Sequence, residues 1–317
     1  MELQGKKVLV VGSGISGMGA IEALHQAGAV SFLFDGNDKL SVEDVRKKMK
    51  PGIEAQIEIG TLSEATSDAI DLVILSPGVP TDTEFVENFR RRGIKIWGEI
   101  ELAYEMGKGR VIGITGTNGK TTTTTLVGEI MSACYADVDV VGNIGNPYTL
   151  TALDATQETV TVAEISSFQL ETVEQFKPDV SAILNITPDH LNRHHTMENY
   201  AAAKEAVTRN QTKEQVCVLN YENAYTREIG ARCPARVVWF SSKRKLAEGF
   251  YQEGEEIWQA KDGVATRLMN IHDMKLVGTC NVENVMAAIA IAQALLVPME
   301  TILSVVRQFR AVEHRIE

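Results

Sequence analysis

The segment at residues 111–123 constrains the fold of this chain more than any other feature of its sequence. Its first four residues are typical of a buried strand, a turn containing Gly116 and Gly119 follows, and Lys120-Thr121 begins a helical pattern. In such a unit, backbone N–H groups and the helix N-terminus face phosphate groups, the lysine reaches the β- and γ-phosphate oxygens, and the hydroxyl group ligates Mg²⁺. The segment therefore predicts a strand–loop–helix unit that binds a nucleoside triphosphate.

One residue of this segment departs from the common phosphate-loop pattern. That pattern has a glycine five residues before Gly119, where this chain has Ile114. An ordinary glycine-rich turn in front of a helix is the alternative, but Gly-Lys-Thr-Thr directly after a strand is a specific signal for phosphate binding. We therefore expect the nucleotide phosphates to be contacted by Gly116, Thr117, Asn118, Gly119, Lys120, Thr121 and Thr122.

Alternating strand and helix patterns predict an α/β fold with parallel sheets and right-handed crossovers. We expect an N-terminal Rossmann-like parallel-sheet domain at residues 1–107 and a P-loop-type central α/β domain at residues 108–317, with an antiparallel addition at residues 249–268. The predicted strands are residues 7–11, 31–35, 71–75, 94–97, 111–114, 138–141, 159–165, 180–186, 216–219 and 236–240. The predicted helices are residues 17–27, 83–92, 99–106, 197–204, 281–295 and 299–309.

Composition and charge argue against several classes of protein. The 317 residues are 44% hydrophobic and 23% charged, with a net charge of −11, which is typical of a globular protein and unsuited to nucleic acid as the main partner. The four cysteines lack the spacing of a metal site, and we expect reduced thiols. Because the sequence has neither a signal-peptide core nor an apolar run of roughly 18 residues, we expect a cytoplasmic protein that does not bind membranes.

A second glycine-rich turn, residues 12–17, follows the first predicted strand, and Asp35 ends the next strand. This spacing fits the dinucleotide-binding fingerprint, so an NAD-dependent oxidoreductase that uses Gly12 to Gly17 is one interpretation. The first domain is short for two mononucleotide-binding halves, however, and a second nucleotide loop follows it. Because such a turn binds any pyrophosphate at a helix N-terminus, we favour a UDP-linked ligand, and purely structural glycines are the third alternative.

Polar side chains follow the predicted strands of the second domain, at the edge where α/β proteins bind ligands. Asn143 lies in a loop rich in backbone donors, Glu164 ends an apolar strand, and Asp189-His190 follow another strand. A carboxylate at the position of Glu164 needs a partner, and Mg²⁺ is a natural one. A plain turn at Asn143 and a structural His190 are the alternatives, and a histidine ligand is unusual for Mg²⁺.

Lys204 follows three alanines in a predicted helix, so its side chain lies on a face of small residues that allows close approach to a site. A surface lysine is the alternative. A buried lysine near Mg²⁺ would need neutralisation. Carbamylation by CO₂ would provide it, because this reaction converts the cation into an anion.

Together these features resemble the Mur ligase family. The resemblance extends from Lys7 to the last residue in the family's order, and residues 166–171 with the N-terminal glycine-rich loop favour its D-glutamate-adding branch. The motifs that carry the resemblance are residues 12–17, 76–78, 98–102, 115–122, 142–145, 164–171, 185–190, 200–204, 281–284 and 313–317.

The resemblance implies ATP-dependent amide bond formation in peptidoglycan precursor synthesis. The carboxylate of UDP-N-acetylmuramoyl-L-alanine would take the γ-phosphate of ATP, and the amine of D-glutamate would then displace phosphate from the acyl phosphate. Matching of motifs implies catalytic roles for Lys120, Glu164, His190 and Lys204. It implies ligation of one Mg²⁺ ion by Thr121 and of a second Mg²⁺ ion by Glu164 and His190, supported by carbamylated Lys204, and ATP contacts from Asn284 and Arg315. It implies contacts with the UDP substrate from Gly14, Ile15, Ser16, Gly36, Asn37, Gly78, Asn143, Ser166 and His190.

Some features depart from the family pattern. Asn192, Cys280 and Asn37 differ from residues common in the family, and Asn37 leaves the uracil contacts open. The family also has a third, C-terminal domain that binds the incoming amino acid, and this sequence ends about where that domain begins. We therefore expect a monomeric, two-domain chain that binds UDP-N-acetylmuramoyl-L-alanine and ATP but does not ligate D-glutamate by itself. The alternatives are the NAD-dependent oxidoreductase and a non-catalytic nucleotide-binding module.

Overall fold

The computed structural model describes residues 2–143 and 146–310, and these residues form two β-sheets with flanking helices. The strands of this part of the chain are β1 (Lys7–Val11), β2 (Val30–Asp35), β3 (Gln56–Ile59), β4 (Leu72–Leu75), β5 (Lys95–Gly98), β6 (Arg110–Thr115), β7 (Val138–Gly142), β8 (Val160–Glu164), β9 (Val180–Ile183), β10 (Val216–Asn220), β11 (Arg236–Ser241), β12 (Gly249–Glu253), β13 (Glu256–Lys261) and β14 (Val264–Asn270). Its α-helices are α1 (Ile15–Gln26), α2 (Val42–Lys48), α3 (Glu64–Ala69), α4 (Glu84–Arg91), α5 (Glu99–Met106), α6 (Lys120–Ser132), α7 (Tyr148–Ala152), α8 (Ser167–Leu170), α9 (Leu191–His194), α10 (Met197–Glu205), α11 (Ala224–Arg232), α12 (Thr279–Ala294) and α13 (Met299–Gln308). The predicted α/β class is confirmed.

The chain divides into two compact units by its internal packing. The first unit contains Met1–Lys108 together with two later segments, Gly145–Thr156 and Phe168–Phe176. The second unit consists of Gly109–Ile144, Gln157–Ser167 and Lys177–Glu317. Two segments that were predicted to belong to the second domain therefore pack with the first unit, and the functional boundary at residues 107–108 stays a proposal.

The sheet of the first unit is parallel, with the strand order β3-β2-β1-β4-β5. Val8 and Val10 of β1 pack in the same core cluster as residues of α1, whereas Leu9 and Val11 pack with residues of α4. Because helices cover both faces, β1 is an unbroken apolar run. The strand order reverses between β1 and β4, and ligands of such sheets bind at this point, outside the carboxyl ends of the strands.

The sheet of the second unit has the order β14-β13-β12-β11-β10-β9-β6-β8-β7. Neighbouring strands from β7 to β12 are parallel, and β12, β13 and β14 form the predicted antiparallel addition. Helices α6 and α12 contribute Leu126, Ile130, Val285 and Ile289 to one core cluster with β6. Since β6 lies between β8 and β9, the loop that follows it leaves from the interior of the sheet, with strand ends on both sides.

Two differences from the predicted elements have physical reasons. Strand β9 ends at Ile183 rather than at residue 186, because Asn185 bonds to the loop after β6 instead of continuing the ladder; Thr117 N–H donates to Asn185 O at 2.9 Å. Strand β3 was not predicted, because it is short and carries the polar residues Gln56 and Glu58. No helix in the described ranges is both long and apolar enough to span a bilayer.

Candidate active site

The loop between β6 and α6 depends on two glycines. Gly119, which precedes α6, has φ 83°, and Gly116 has φ 154°. A Cβ at Gly116 would lie 3.0 Å from Leu184 Cβ, and a Cβ at Gly119 would overlap the side-chain oxygen of Asn284. The glycine spacing is therefore needed both for the left-handed backbone and for the close approach of two neighbouring segments.

Asn185, for which no role was predicted, holds this loop. Its side-chain oxygen accepts from Asn118 N–H at 2.8 Å, its amide nitrogen donates to Asn118 O at 3.0 Å, and its main-chain oxygen accepts from Thr117 N–H at 2.9 Å. Thr117 Oγ1 also accepts from Thr187 N–H at 3.0 Å. The phosphate loop is therefore fixed to the segment that follows β9. The only signal in the sequence is an amide residue directly after an apolar run.

Both predicted lysines lie at the loop and share an acceptor. Lys120 Nζ donates to Gly116 O at 3.1 Å and to Thr117 O at 2.9 Å, and Lys204 Nζ donates to Gly116 O at 2.8 Å. Lys204 is 1% exposed. Burial and the positive charge of Lys120 lower the pKa of Lys204 from 10.5 to about 7, against the opposing effect of Asp189. A substantial fraction of the Lys204 amine is therefore neutral at neutral pH.

Glu164 is a fully buried carboxylate at the end of β8. Its Oε1 accepts from Asn143 Nδ2 at 2.8 Å, and its main-chain oxygen accepts from Asn143 N–H at 2.9 Å. Within the described residues, Glu164 Oε2 has no hydrogen-bond partner. Because a buried carboxylate oxygen is costly to leave unpaired, this atom fits a cation ligand. Asn143 orients Glu164, and its contact with the UDP substrate stays a prediction.

His190 occupies an exposed position beside Asp189. Its φ is 52°, its N–H donates to Asp189 Oδ1 at 2.8 Å, and its Nε2 lies 3.4 Å from Asp189 Oδ2 with the side chain 49% exposed. In the part of the chain that the structure describes, no three His, Cys, Asp or Glu side chains are grouped to hold a metal ion. This finding does not test the predicted Mg²⁺ ligands, because only two of them, Glu164 and His190, are of these residue types. The predicted Mg²⁺ ligands stay a prediction.

The other predicted nucleotide contacts lie on α6 and α12. Thr121 and Thr122 are in the first turn of α6 and are partly buried. Asn284 of α12 is 6% exposed, and it lies directly against Gly119. Arg315 lies outside the described residues, as do Gly145 and the motif at residues 313–317.

In the first unit, Asp35 ties the glycine-rich loop to the end of β2. Its Oδ2 accepts from Ser13 N–H at 2.8 Å and from Ser13 Oγ at 2.6 Å, and its Oδ1 accepts from Asn37 N–H at 3.0 Å. Burial alone raises the pKa of Asp35, but the hydrogen bonds from Ser13 and Asn37 outweigh it and lower the pKa below 3.8. The carboxylate that the dinucleotide interpretation would assign to a ribose is thus already bonded within the protein.

The remaining predicted UDP-side residues occupy different settings. Ser16 hydrogen-bonds the Glu99 carboxylate, and burial raises the pKa of Glu99. Ile15 is 80% exposed at the start of α1, which no side chain caps at Gly14. Gly36, Asn37 and Gly78 lie in loops of the first unit, whereas Asn143, Ser166 and His190 belong to the second unit. Their contacts with a UDP substrate stay predictions.

Comparison with known proteins gives matches to two family models. The model of the Mur ligase middle domain matches residues 114–292, which is more than half of the chain, and the model of the MurD-like N-terminal domain of Mur ligases matches residues 6–98. The chain belongs to the Mur ligase family. The resemblance inferred from the motifs is therefore confirmed, and the same match at residues 6–98 favours a Mur ligase domain over an NAD-binding domain at the glycine-rich loop.

Two relatives match the whole of this Mur ligase chain. A protein of Lachnoclostridium phytofermentans is 52% identical over 317 residues, which are 100% of this chain and 70% of the relative. A protein of Clostridioides difficile is 45% identical over 318 residues, again with 100% of this chain and 70% of the relative. Both relatives are named UDP-N-acetylmuramoylalanine–D-glutamate ligase.

Solved Mur ligase structures share the fold. UDP-N-acetylmuramate:L-alanyl-gamma-D-glutamyl-meso-diaminopimelate ligase from Neisseria meningitides has a TM-score of 0.62 at 16% identity, covering 98% of this chain and 100% of that chain. UDP-N-acetylmuramate-alanine ligase from Thermotoga maritima has a TM-score of 0.57 at 22% identity, covering 98% of this chain and 70% of that chain. At these identities the likeness supports the fold alone.

Proposed function

We propose that this Mur ligase chain serves the ATP-dependent addition of D-glutamate to UDP-N-acetylmuramoyl-L-alanine. The observation that carries the proposal is the loop at residues 116–119, which leads into α6. The loop has two glycines and an ordered main chain, and Lys120 is the first residue of the helix. This arrangement suits the phosphates of ATP. The choice of the other two substrates is supported by the name of a relative that is 52% identical over the whole chain.

The residues of the second unit fit a Mg²⁺–ATP complex. Glu164 Oε2 is buried and has no hydrogen-bond partner among the described residues, and Thr121 lies in the first turn of α6. We assign one Mg²⁺ ion to Thr121, and a second Mg²⁺ ion to Glu164 and His190 with the support of carbamylated Lys204. When bound, Mg²⁺ neutralises negative charge on the β- and γ-phosphates.

The chain's own residues would position the nucleotide for phosphoryl transfer. Main-chain N–H groups of the first turn of α6 hold the β- and γ-phosphates, because those of Thr117 and Asn118 already donate to Asn185, and Asn284 and Arg315 are further ATP contacts. Lys120 exchanges its bonds to Gly116 O and Thr117 O for the γ-phosphate oxygens. This exchange places a positive charge where negative charge accumulates in the transition state.

The reaction then balances in two steps. A carboxylate oxygen of UDP-N-acetylmuramoyl-L-alanine attacks the γ-phosphorus, the bond to the bridging oxygen breaks, and ADP leaves behind an acyl phosphate. The amine of D-glutamate attacks the acyl carbon and loses a proton, and inorganic phosphate leaves as the amide bond forms. Positioning and charge neutralisation supply the catalysis in both steps.

The UDP substrate is assigned to the N-terminal residues 1–107. The uncapped N-terminus of α1 at Gly14 and Ile15 suits a diphosphate, and Asp35 orders the adjacent loop that carries Gly36 and Asn37. Gly78 is the remaining residue of the first unit that we assign to the UDP substrate. Asn143, Ser166 and His190 are assigned to the substrate side on the second unit. A cytoplasmic location and a monomeric state stay predictions.

Isothermal titration of the 317-residue chain tests the proposal. We expect binding of Mg²⁺–ATP and of UDP-N-acetylmuramoyl-L-alanine, and none of NADH. Lys120→Ala should remove ATP binding and leave UDP-substrate binding intact, whereas Lys261→Ala, at an exposed lysine of β13, should change neither. Binding of NADH in place of the UDP substrate would establish the oxidoreductase alternative. ATP binding without UDP-substrate binding would favour the non-catalytic nucleotide-binding module.

A further inference from the structure

We propose that Tyr200 is a positioning residue whose hydroxyl group holds the phosphate loop in its nucleotide-binding shape. The proposal rests on nucleotide binding at this loop, as put forward above. Tyr200 lies in α10 and is 1% exposed. Its hydroxyl oxygen lies 3.1 Å from Thr117 Oγ1, in the middle of the loop.

The other hydrogen bonds of Thr117 indicate which of the two hydroxyl groups donates. Thr117 Oγ1 accepts from Thr187 N–H at 3.0 Å and donates to Thr187 O at 3.2 Å. A hydroxyl group has one proton and two acceptor positions, so the remaining position of Thr117 accepts from the hydroxyl of Tyr200. The bond from Tyr200 therefore completes the hydrogen bonding of Thr117, and its removal leaves the hydroxyl of Thr117 one donor short.

The face of α10 that carries Tyr200 also contacts Gly116, the loop residue before Thr117. Tyr200 and Lys204 are four residues apart on α10, so their side chains are neighbours on one face. Lys204 Nζ lies 4.6 Å from the centre of the Tyr200 ring and donates to Gly116 O at 2.8 Å. Helix α10 thus holds Gly116 through Lys204 and Thr117 through Tyr200.

Buried neighbours also fix the Tyr200 ring by packing. The His194 ring lies 5.1 Å from the Tyr200 ring, and His194 Nε2 lies 2.9 Å from Ser167 Oγ. Ser167 and His194 are 2% and 5% exposed. Because the ring is held by buried neighbours, its hydroxyl group has a defined position. A rigid donor of this kind orders the loop before the nucleotide arrives and lowers the entropic cost of binding.

The test compares two buried tyrosines in the 317-residue chain. Tyr200→Phe keeps the ring and removes only the hydroxyl group. Tyr251→Phe is the matched control, because Tyr251 is 0% exposed and its hydroxyl has no hydrogen-bond partner within the described residues. Titration with Mg²⁺–ATP should show roughly three- to tenfold weaker binding for Tyr200→Phe and unchanged binding for Tyr251→Phe.

A second titration, with UDP-N-acetylmuramoyl-L-alanine, separates positioning from general destabilisation. Its affinity should stay within twofold of wild type in Tyr200→Phe, about as small a change as titration resolves. Equal loss of affinity for both ligands, or an unchanged ATP affinity, overturns the proposal. Failure of the wild-type chain to bind ATP would instead overturn the proposed function, and this inference with it.

Thr117→Val removes the other partner of the same bond, and it tests the contact if Tyr200→Phe does not fold. The double variant should lose less than the sum of the two single losses, because each single change already deletes the bond between the two hydroxyl groups, although Thr117→Val also deletes both bonds with Thr187. Losses that simply add would show that the two hydroxyl groups act independently, and would overturn the proposal.

Discussion

The side chain of Asn185 and the main chain of Asn118 form a two-way pair of hydrogen bonds, at 2.8 Å and 3.0 Å, between residues 67 positions apart in the sequence. Each of the two residues donates one hydrogen bond through a nitrogen and accepts one through an oxygen, as paired residues do in a β-ladder. The pair extends the contact between β6 and β9 beyond the last strand residues. It places the apex of the phosphate loop in one defined position next to the following strand end.

Replacement of the Asn185 side chain should affect the order of the phosphate loop more than the stability of the fold. In Asn185→Ala, Asn118 loses both partners, but its exposure allows water to replace them. We expect a loss of about 0.5 to 1.5 kcal/mol in the free energy of unfolding, measured in urea, and weaker ATP binding. Asn88→Ala, at an exposed asparagine of α4, is the control and should leave ATP binding unchanged.

Gly119→Ala should disrupt the nucleotide site by two effects. Its φ of 83° strains any other residue, by about 1 to 2 kcal/mol, and the new Cβ would overlap Asn284. Gly263→Ala is the control, because Gly263 has φ 75° and open space around its Cβ position. Both variants should be less stable to urea, and only Gly119→Ala should lose ATP binding. Equal ATP affinity in the two variants would contradict the close approach of α12 to the loop.

Glu164→Gln tests whether the buried carboxylate binds the ion. Gln retains an oxygen for Asn143 Nδ2 but removes the negative charge and the unpaired Oε2. We expect Mg²⁺-dependent ATP affinity to fall roughly tenfold or more, while the melting temperature of the ligand-free protein stays equal or rises. Glu129→Gln makes the same charge change at an exposed residue of α6, and ATP affinity should not respond to it.

Asp35→Asn should destabilise the first unit in a pH-dependent way. The three bonds from Ser13 and Asn37 favour the charged carboxylate and lower its pKa below 3.8. The folded pKa lies below the unfolded one, so this stabilisation is complete above pH 3.8 and is lost as pH falls through the folded pKa. At neutral pH we expect the variant to lose about 1.5 to 3 kcal/mol.

Urea unfolding at several pH values checks this expectation. The difference in unfolding free energy between wild type and Asp35→Asn should be constant near neutral pH and should shrink in acid. Asp38→Asn, at an exposed position of the same loop, serves as the control. A difference that does not change with pH would show that the carboxylate charge contributes nothing to the order of the glycine-rich loop.

Lys204 should reduce stability at neutral pH. Its folded pKa of about 7 lies below the ordinary 10.5, so between these values the unfolded chain binds the proton more tightly. The cost is largest below the folded pKa and shrinks as pH rises toward the unfolded one. In bicarbonate-free buffer, Lys204→Met should therefore gain most over wild type at neutral and lower pH and lose this advantage at alkaline pH. A difference independent of pH would contradict the lowered pKa.

The sequence alone predicted the elements that local pattern specifies. Apolar runs bounded by glycines mark β1 and β6, because a strand covered on both faces needs no polar alternation. The phosphate loop is recognisable because glycines and a lysine must follow a strand at fixed spacing. The polar edge strand β3 lacks such a pattern, and it was missed.

Pairings between distant residues could not be predicted in this way. Asn185 looked like the end of a strand, and its role is set by Asn118 on another element. Asp35 fitted a ribose-binding residue by position, and only its contacts with Ser13 and Asn37 show that its oxygens are already used. Burial is likewise a tertiary property, and it lowers the pKa of Lys204.

Local sequence determined which residues form the phosphate loop, the flanking strands and the helix that carries Lys204, since backbone conformation and strand or helix periodicity depend on near neighbours. The tertiary structure decided which side chains meet: Lys120 and Lys204 at Gly116 O, Asn143 at Glu164, and Tyr200 at Thr117. These contacts depend on strand order and helix packing. A linear pattern does not contain that information, because hydrogen bonds between distant residues are fixed only when the sheet brings its strand ends together.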